Sequence, residues 1–355
     1  MSHANSDPTP ALQIGNVALD FPVVQAALSG YSDRPMRVIA RRLGAPYTLC
    51  EVMLEDFVVQ LRNRKRTRRY LTVGDDEHPV GGQLMGSDPL LFAQAAARLA
   101  ESGFDVIDIN FGCPSKKEGG KCRGGLHLGQ PEVALDIVAR VREAVPEQVP
   151  VTVKMRRGLD DTPESRDKFY QIFDGVFERG VAAVTVHGRT VEQRYVGPSN
   201  WGILAEVKRH AGQRTILVSG DLFTAEDCLS MMEKTGVDGV TAARGAIGNP
   251  WIFDRARRLA RGESAPGPTI GEQRRVLDEH RQLAEEEYGD DGCASVLRKF
   301  GIFYARMHPQ AEDVRRAFIA AKGIAGWGEV LDQWYPAFGA ASKDARCVGD
   351  SAGVS

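Results

Sequence analysis

Eight short β-rich runs, each followed by a stretch compatible with a helix, predict an α/β protein: a (β/α)8 barrel of the TIM type with a small C-terminal helical domain behind it. The expected strands are 23–28, 47–52, 80–85, 106–111, 151–155, 183–187, 215–219 and 239–243. Between them lie amphipathic segments such as FAQAAARLAESG and PEVALDIVARVREAV, each ending near a Gly or Pro. Strands that alternate with helices must pair in parallel. Eight such units in roughly 250 residues match a closed barrel in both number and length. A doubly wound open sheet is the competitor, but no GxGxxG turn follows the first run.

Taken in order, residues 1–20 form a lead-in, 21–260 the barrel and 261–268 a linker rich in Gly and Pro. The helical domain is expected over 269–338. Thr269 and Glu272 form a capping-box signature at its start. Val276, Leu277, His280, Leu283 and Ala284 follow at helical spacing, and Val296, Phe300, Phe303 and Met307 repeat it up to Pro309. A third helix carries Val314, Phe318 and Ala321, and a fourth Val330, Leu331 and Trp334. Residues 339–355 are small and polar, a composition that does not support a packed structure.

The 355 residues are 43% hydrophobic and 26% charged, enough for a full core with an ordinary polar surface. The apolar runs fall far short of the roughly 20 residues a membrane helix requires. MSHANSDPTP lacks the basic start and apolar stretch of a signal peptide. A cytoplasmic protein without membrane or obligate protein partner is expected. Cysteines at 50, 113, 122, 228, 293 and 347 show neither a CxxC pair nor metal-type spacing, so neither a metal site nor a disulfide framework is expected. A net charge of −2 excludes a bulk polycation. The run Arg62-Asn-Arg64-Lys65-Arg66-Thr-Arg68-Arg69 nevertheless packs six cations into eight residues. Such a run points to nucleic-acid contact, with a solvated helix end as the alternative.

Functional groups of a barrel of this kind project from the C-terminal ends of its strands. Three of the runs end in polar residues: Asn110 before Phe-Gly-Cys113-Pro, Lys154 before Met-Arg156-Arg, and His187 before Gly-Arg189-Thr. Polar groups at the ends of buried strands are costly without partners, so three at equivalent ends point to a site. The period of two places Asp108 with Asn110, Thr152 with Lys154 and Arg156, and Thr185 with His187, all facing the barrel interior. The last two runs lead into Ser219-Gly220-Asp221 and Ala243-Arg244-Gly245. Small residues after strands seven and eight allow a phosphate to approach backbone N–H groups. A planar, phosphorylated cofactor fits these parts: Lys154 would sit beside a flavin's N1/O2 edge, and the Gln83 amide would read the ring's polar rim.

At this point the residues resemble a known family. SGYSDRPMR (29–37), GGQLMGSDP (81–89), DINFGCPSKK (108–117), VTVKMRRG (151–158), VTVHGRT (184–190), SGD (219–221) and ARGAIGNPWIF (243–253) occur in the order found in tRNA-dihydrouridine synthases, most like the bacterial B-type branch. The likeness runs from about residue 20 to 335. It implies FMN as cofactor, NADPH as electron donor and tRNA as partner, with reduction of the C5=C6 bond of a uridine. It also implies hydride transfer from flavin N5 to C6, a proton from Cys113 to C5, and flavin contacts at Ala27, Leu28, Ser29, Gln83, Asn110, Lys154, His187, Ser219, Gly220, Asp221, Ala243 and Arg244. The family's Ala-Pro-Met, Asn-Gly-Asp and Arg-Lys-His are replaced here by Ala26-Ala27-Leu28, Ser219-Gly220-Asp221 and Arg298-Lys299-Phe300.

The chemistry accounts for a cysteine. A proton must reach C5 from the face opposite the hydride, and an ordinary thiol, with a pKa of about 8.5, is mostly protonated at pH 7. A uridine must also leave its stack, at a cost of a few kcal/mol that phosphate contacts offset. Candidate contacts are Arg64, Lys65, Arg66 and Arg68, then Lys116 and Lys117, then Arg298 and Lys299; either Arg156 or the Arg189 loop would steady O4 or a phosphate. Two other readings remain: a flavin-free tRNA-binding protein, and a flavin enzyme acting on a free pyrimidine.

Overall fold

The computed structural model describes residues 11–62, 67–114 and 123–336, without the side chains of Arg68, Asp290 and Asp291. It begins with a hairpin, β1 (Leu12–Ile14) and β2 (Val17–Leu19), turned at Gly15 with φ +59°. The barrel follows as β3 (Val23–Gln25), α1 (Arg34–Arg42), β4 (Thr48–Leu49), β5 (Met53–Leu54), α2 (Glu55–Gln60), β6 (Val80–Met85), α3 (Pro89–Glu101), β7 (Val106–Phe111) and α4 (Pro131–Ala144). Then come β8 (Val151–Arg156), α5 (Pro163–Glu178), β9 (Ala183–His187), α6 (Trp201–Ala211), β10 (Thr215–Ser219), α7 (Ala225–Thr235), β11 (Gly239–Ala242) and α8 (Ile252–Ala260). All neighbouring barrel strands pair in parallel. The ring closes through Val240↔Val23 on one side and Thr48↔Val80 on the other.

Strand alternation divides the core in two. Ile107, Ile109, Val153, Met155, Val184, Val186, Ile216 and Val218 face outward and pack beneath the helices. The inward face is mostly polar above its base: Gln25, Thr48, Gln83, Asp108, Thr152, Thr185 and Thr241 are all buried inside the ring. At the base, Leu12, Ile14 and Leu19 of the hairpin join Val24, Tyr47, Leu49, Val106, Ala183 and Leu217 in a separate apolar cluster that plugs the barrel. The Tyr47 ring fits there because residue 81 is Gly; a Cβ would stand 2.1 Å from its hydroxyl.

The first two barrel strands depart most from their sequence runs. β3 stops at Gln25 because Leu28 is drawn into a turn: its N–H donates to Ser32 Oγ at 2.8 Å and its carbonyl accepts from Tyr31 and Ser32. The second run is interrupted after Leu49 and resumes as β5, and both pieces pair with β6. Between them Glu51 turns away to accept the Gly30 N–H.

The helical segment contains α9 (Ile270–Tyr304), α10 (Ala311–Ala320) and α11 (Gly323–Trp334). The expected Thr269–Glu272 capping box opens α9, and Gly289 at φ +68° breaks it into two helices. Its core of Leu297, Phe300, Val314, Phe318, Trp327 and Leu331 is continuous with that of the barrel. Tyr288 Oη donates to Asp33 at 2.7 Å, and Tyr31 sets its ring edge-on to Phe300 and Phe303.

Candidate active site

A cavity of about 530 Å³ opens at the C-terminal ends of the strands, within the roughly 300–1,000 Å³ range of small-molecule sites. Its wall contains Ala27, Leu28 and Ser29 after β3, Gln83 from β6, Asn110 and Cys113 at the end of β7, and Lys154 and Arg156 from β8. His187 from β9, Ser219, Gly220 and Asp221 after β10, and Ala243 and Arg244 after β11 complete the ring. Every residue expected from the sequence to hold a cofactor therefore meets at one place, with Cys113 among them.

The floor is one hydrogen-bonded chain. Thr152 Oγ1 and Gln83 Nε2 donate to Asp108 at 2.5 and 2.6 Å; Asn110 Nδ2 donates to Gln83 Oε1 at 2.7 Å. Asn110 Oδ1 accepts the N–H groups of Gly112 and Cys113, both at 2.9 Å, and Gly125 N–H holds the Cys113 carbonyl at 2.8 Å. Burial pushes the Asp108 carboxyl above its ordinary range. Cys113 itself is half-buried at the cavity wall, whereas burial pushes the Cys50 and Cys228 thiols up to about 11 and about 12, away from reactivity.

Charge on the walls is positive. Burial, reinforced by Arg156, lowers Lys154 from 10.5 to about 8, and no hydrogen-bond or ion-pair partner engages its ammonium among the described residues. Burial and the neighbouring Lys154, Arg156, Arg189 and Arg244 lower His187 to about 2, so it is neutral. Its Nδ1 accepts the Arg189 N–H at 3.1 Å, which leaves the proton on Nε2 as a neutral donor.

The two arginines left open by the sequence have different places. Arg156 lines the cavity but spends its guanidinium on carbonyls: Gly112 at 2.8 Å, and Thr190 and Arg194 at 2.7 Å. Arg189 lies behind the wall, donating to Asp221 at 2.7 Å and to the Gly197 carbonyl. Burial works against the Asp221 charge, but the Ser199 N–H and Arg189 outweigh it and hold the carboxyl below its usual range. Only the backbone of Asp221 is then free to meet an anion. Lys299 stands 4.4 Å above the Tyr31 ring at the cavity's edge, and Arg298 is exposed on α9. Arg64, Lys65, Arg66, Lys116, Lys117 and Cys122 lie outside the described residues, as does the Arg68 side chain.

The sequence matches the family model for dihydrouridine synthase (Dus) over residues 24–335. The chain belongs to the dihydrouridine synthase family. A Mycobacterium tuberculosis relative described as "Probable tRNA-dihydrouridine synthase" is 33% identical over 328 residues, covering 89% of this chain and 82% of its own. A tRNA-dihydrouridine synthase B of Pseudomonas putida is 33% identical over 311 residues, covering 87% and 90%. Among solved structures, histamine dehydrogenase from Rhizobium sp. 4-9 aligns with a TM-score of 0.53 at 15% identity over 81% of this chain, which spans half of that longer protein. A morphinone reductase variant in complex with tetrahydroNAD aligns at 0.54, also at 15% identity, over 73% of this chain and 91% of its own. These two show the barrel fold.

Among the lining residues of this family member that were not picked out from the sequence are Tyr31, Tyr195, Phe223 and Thr241. The Tyr195 ring lies under the guanidinium groups of Arg156 and Arg244 at 5.6 and 4.8 Å, and Arg244 also lies 5.2 Å from the Phe223 ring. The aromatic residues in QRYVG and GDLFT, each in a loop after a barrel strand, are the signal that marked them.

Proposed function

We propose that this protein is a tRNA-dihydrouridine synthase that uses FMN and NADPH to reduce the C5=C6 bond of specific uridines in tRNA. The observation that carries the reading is the meeting of Cys113, Lys154 and a neutral His187 on one cavity, in a chain of the dihydrouridine synthase family. The cavity fits FMN by its own features. Ser219 Oγ and Thr241 Oγ1 are buried polar atoms on its wall that have no hydrogen-bond partner among the described residues, and Lys154 brings a cation that is likewise unpaired among them. At Gly220, φ is +130° and a Cβ would fall 2.2 Å from Ser199 Oγ, so only glycine leaves the backbone open there. Bound FMN would supply the hydride to C6, drawn from NADPH.

The chain's own residues do the rest. Lys154 would hold its charge at the ring edge that becomes anionic on reduction, and Gln83 and Asn110 would present amide groups to its polar rim. His187 Nε2 would donate without carrying a charge into the cavity. The Cys113 thiol would give its proton to C5, and Asn110 together with Gly125 would keep that thiol in place. The helical segment and the basic run at 62–69 would take the tRNA backbone, with Lys299 at the mouth.

Replacing Cys113 by Ala tests the reading. The variant should keep its yellow colour and its reduction by NADPH, while dihydrouridine formation falls by about 10²–10⁴-fold, the usual contribution of a general acid. Near-normal turnover would remove Cys113 from the reaction. A wild-type protein that stays colourless in excess FMN would favour the flavin-free tRNA-binding alternative.

A further inference from the structure

Asp108 takes no part in the steps above, and neither it nor Thr152 is among the residues lining the cavity. We propose that Asp108 is a positioning residue that sets the hydrogen-bond polarity of the Cys113 loop through Gln83 and Asn110; this rests on reading the cavity as the reductase site.

Donors and acceptors must alternate along the hydrogen-bonded chain. Both oxygens of Asp108 accept, one from Thr152 Oγ1 and one from Gln83 Nε2, so Gln83 turns its NH2 toward Asp108. Its carbonyl oxygen is then the end left for Asn110, which must answer with its own NH2. That in turn leaves Asn110 Oδ1 for the loop, where two backbone N–H groups require an acceptor. An amide rotated at either step would set NH2 against N–H beneath Cys113. Neither amide has a preferred orientation of its own, because its two ends are nearly equal in shape. Asp108 at one end and the two loop N–H groups at the other therefore fix the direction of every link, across three strands, β6, β7 and β8. Thr152 can play either part, because a hydroxyl donates or accepts by rotation. Its donation to Asp108 is satisfied in the present arrangement.

A double-mutant cycle on these two residues tests the proposal. In Thr152→Val the carboxylate still dictates direction, and tRNA-dependent oxidation of the reduced flavin should stay within about twofold of wild type. In Asp108→Asn the new amide can keep its oxygen toward Gln83 by giving its NH2 to Thr152, so the loss should be within about threefold. With both changes the new amide's NH2 has no acceptor except Gln83 Oε1, which reverses the chain. The tRNA-dependent step should then slow about tenfold beyond the product of the single effects. Reduction by NADPH should fall less than the tRNA-dependent step, since the thiol is not used in it and only the amide contacts of Gln83 and Asn110 to the flavin change. Additive losses, or an equal fall in both half-reactions, would overturn the proposal.

A second readout needs no activity. In Asp108→Asn the retained direction rests on Thr152 turning to accept, so a fraction of molecules carries the reversed chain, and iodoacetamide should alkylate Cys113 at least about twofold faster than in wild type, followed by mass spectrometry of its peptide. An unchanged rate overturns the proposal even if the double variant does not fold. A wild-type protein that fails to oxidise its reduced flavin with tRNA would instead sink the proposed function, and the alkylation result would stand apart from it.

Discussion

Lys154 is a half-buried cation on the cavity wall whose partner is expected to come with the cofactor, which makes its removal informative. Its fall from 10.5 to about 8 corresponds, at 1.36 kcal/mol per pH unit, to about 3 kcal/mol of penalty for holding the charge in the folded chain. Water in the open cavity screens part of this, so about 1–3 kcal/mol is the working figure. Lys154→Met keeps the length of the side chain and removes the charge. The flavin-free variant should therefore be more stable than flavin-free wild type by that amount at pH 7, measured by urea unfolding. The folded wild-type chain sheds its proton near pH 8 and the unfolded chain near 10.5. The penalty is thus complete below pH 8 and vanishes as pH rises through that window, so the two stabilities should converge by about pH 10.5. FMN affinity should move the opposite way, falling about ten- to a hundred-fold at pH 7 for the loss of one charged hydrogen bond. A variant less stable than wild type at pH 7, or a gap that ignores pH, would refute the picture of an unpaired charge awaiting an anion.

Other expectations concern separate parts of the molecule. Gly220→Ala, which forces a Cβ against Ser199, should lose FMN while keeping its far-UV spectrum; a variant that purifies fully yellow would count against a phosphate site at that loop. Asp33, raised by burial to about 6, is charged at a cost above that pH, and the wild-type fold should gain stability as pH falls from 6 toward 3.8. Asp33→Asn, still able to cap α1, should flatten that slope and gain about 1–3 kcal/mol at pH 7; an unchanged pH profile by denaturant unfolding would be the contrary result. Changing Arg64, Lys65, Arg66 and Arg68 together to Gln should weaken tRNA binding and lower the log–log salt slope by roughly 0.7–0.9 for each phosphate that the run no longer neutralises. Two or three such phosphates are expected, and wild-type affinity and slope in a filter-binding titration would leave the run a solvated surface.

The strands were legible because each has a strong outward period of Val, Ile and Met, and because the polar residue that breaks it falls at the strand's end. Asn110, Lys154 and His187 could be found by that rule alone. What the sequence did not carry was the use made of each polar group. Arg156 and Arg189 read as equivalent candidates, yet one faces the cavity and the other is locked to Asp221; three-dimensional distance decides this, and no spacing encodes it. Gln83 read as a group facing a ring, and no spacing showed that its amide also bonds Asp108 and Asn110 within the floor. The interruption after Leu49 was equally hidden, since Cys50 to Val52 is as apolar in pattern as a strand and yields only to the Glu51–Gly30 contact.

The hairpin at the base has a consequence for how the chain must assemble. It is made first, yet the surfaces that receive it come much later. Gln13 gives its carbonyl to Thr215, 202 residues on, Asn16 donates to Gln148, 132 residues on, and its apolar side chains rest on Ala183 and Leu217. During synthesis Leu12, Ile14 and Leu19 therefore wait without a partner until most of the ring has emerged, and they seat only as it closes. Long-range closure of this kind is slow, since loop entropy is lost before contacts form. The hairpin thus acts as a late lock on folding. Deleting it should leave a ring that forms but leaks at its base, slow to reach a single state and prone to associate through Val24, Leu49 and Val106.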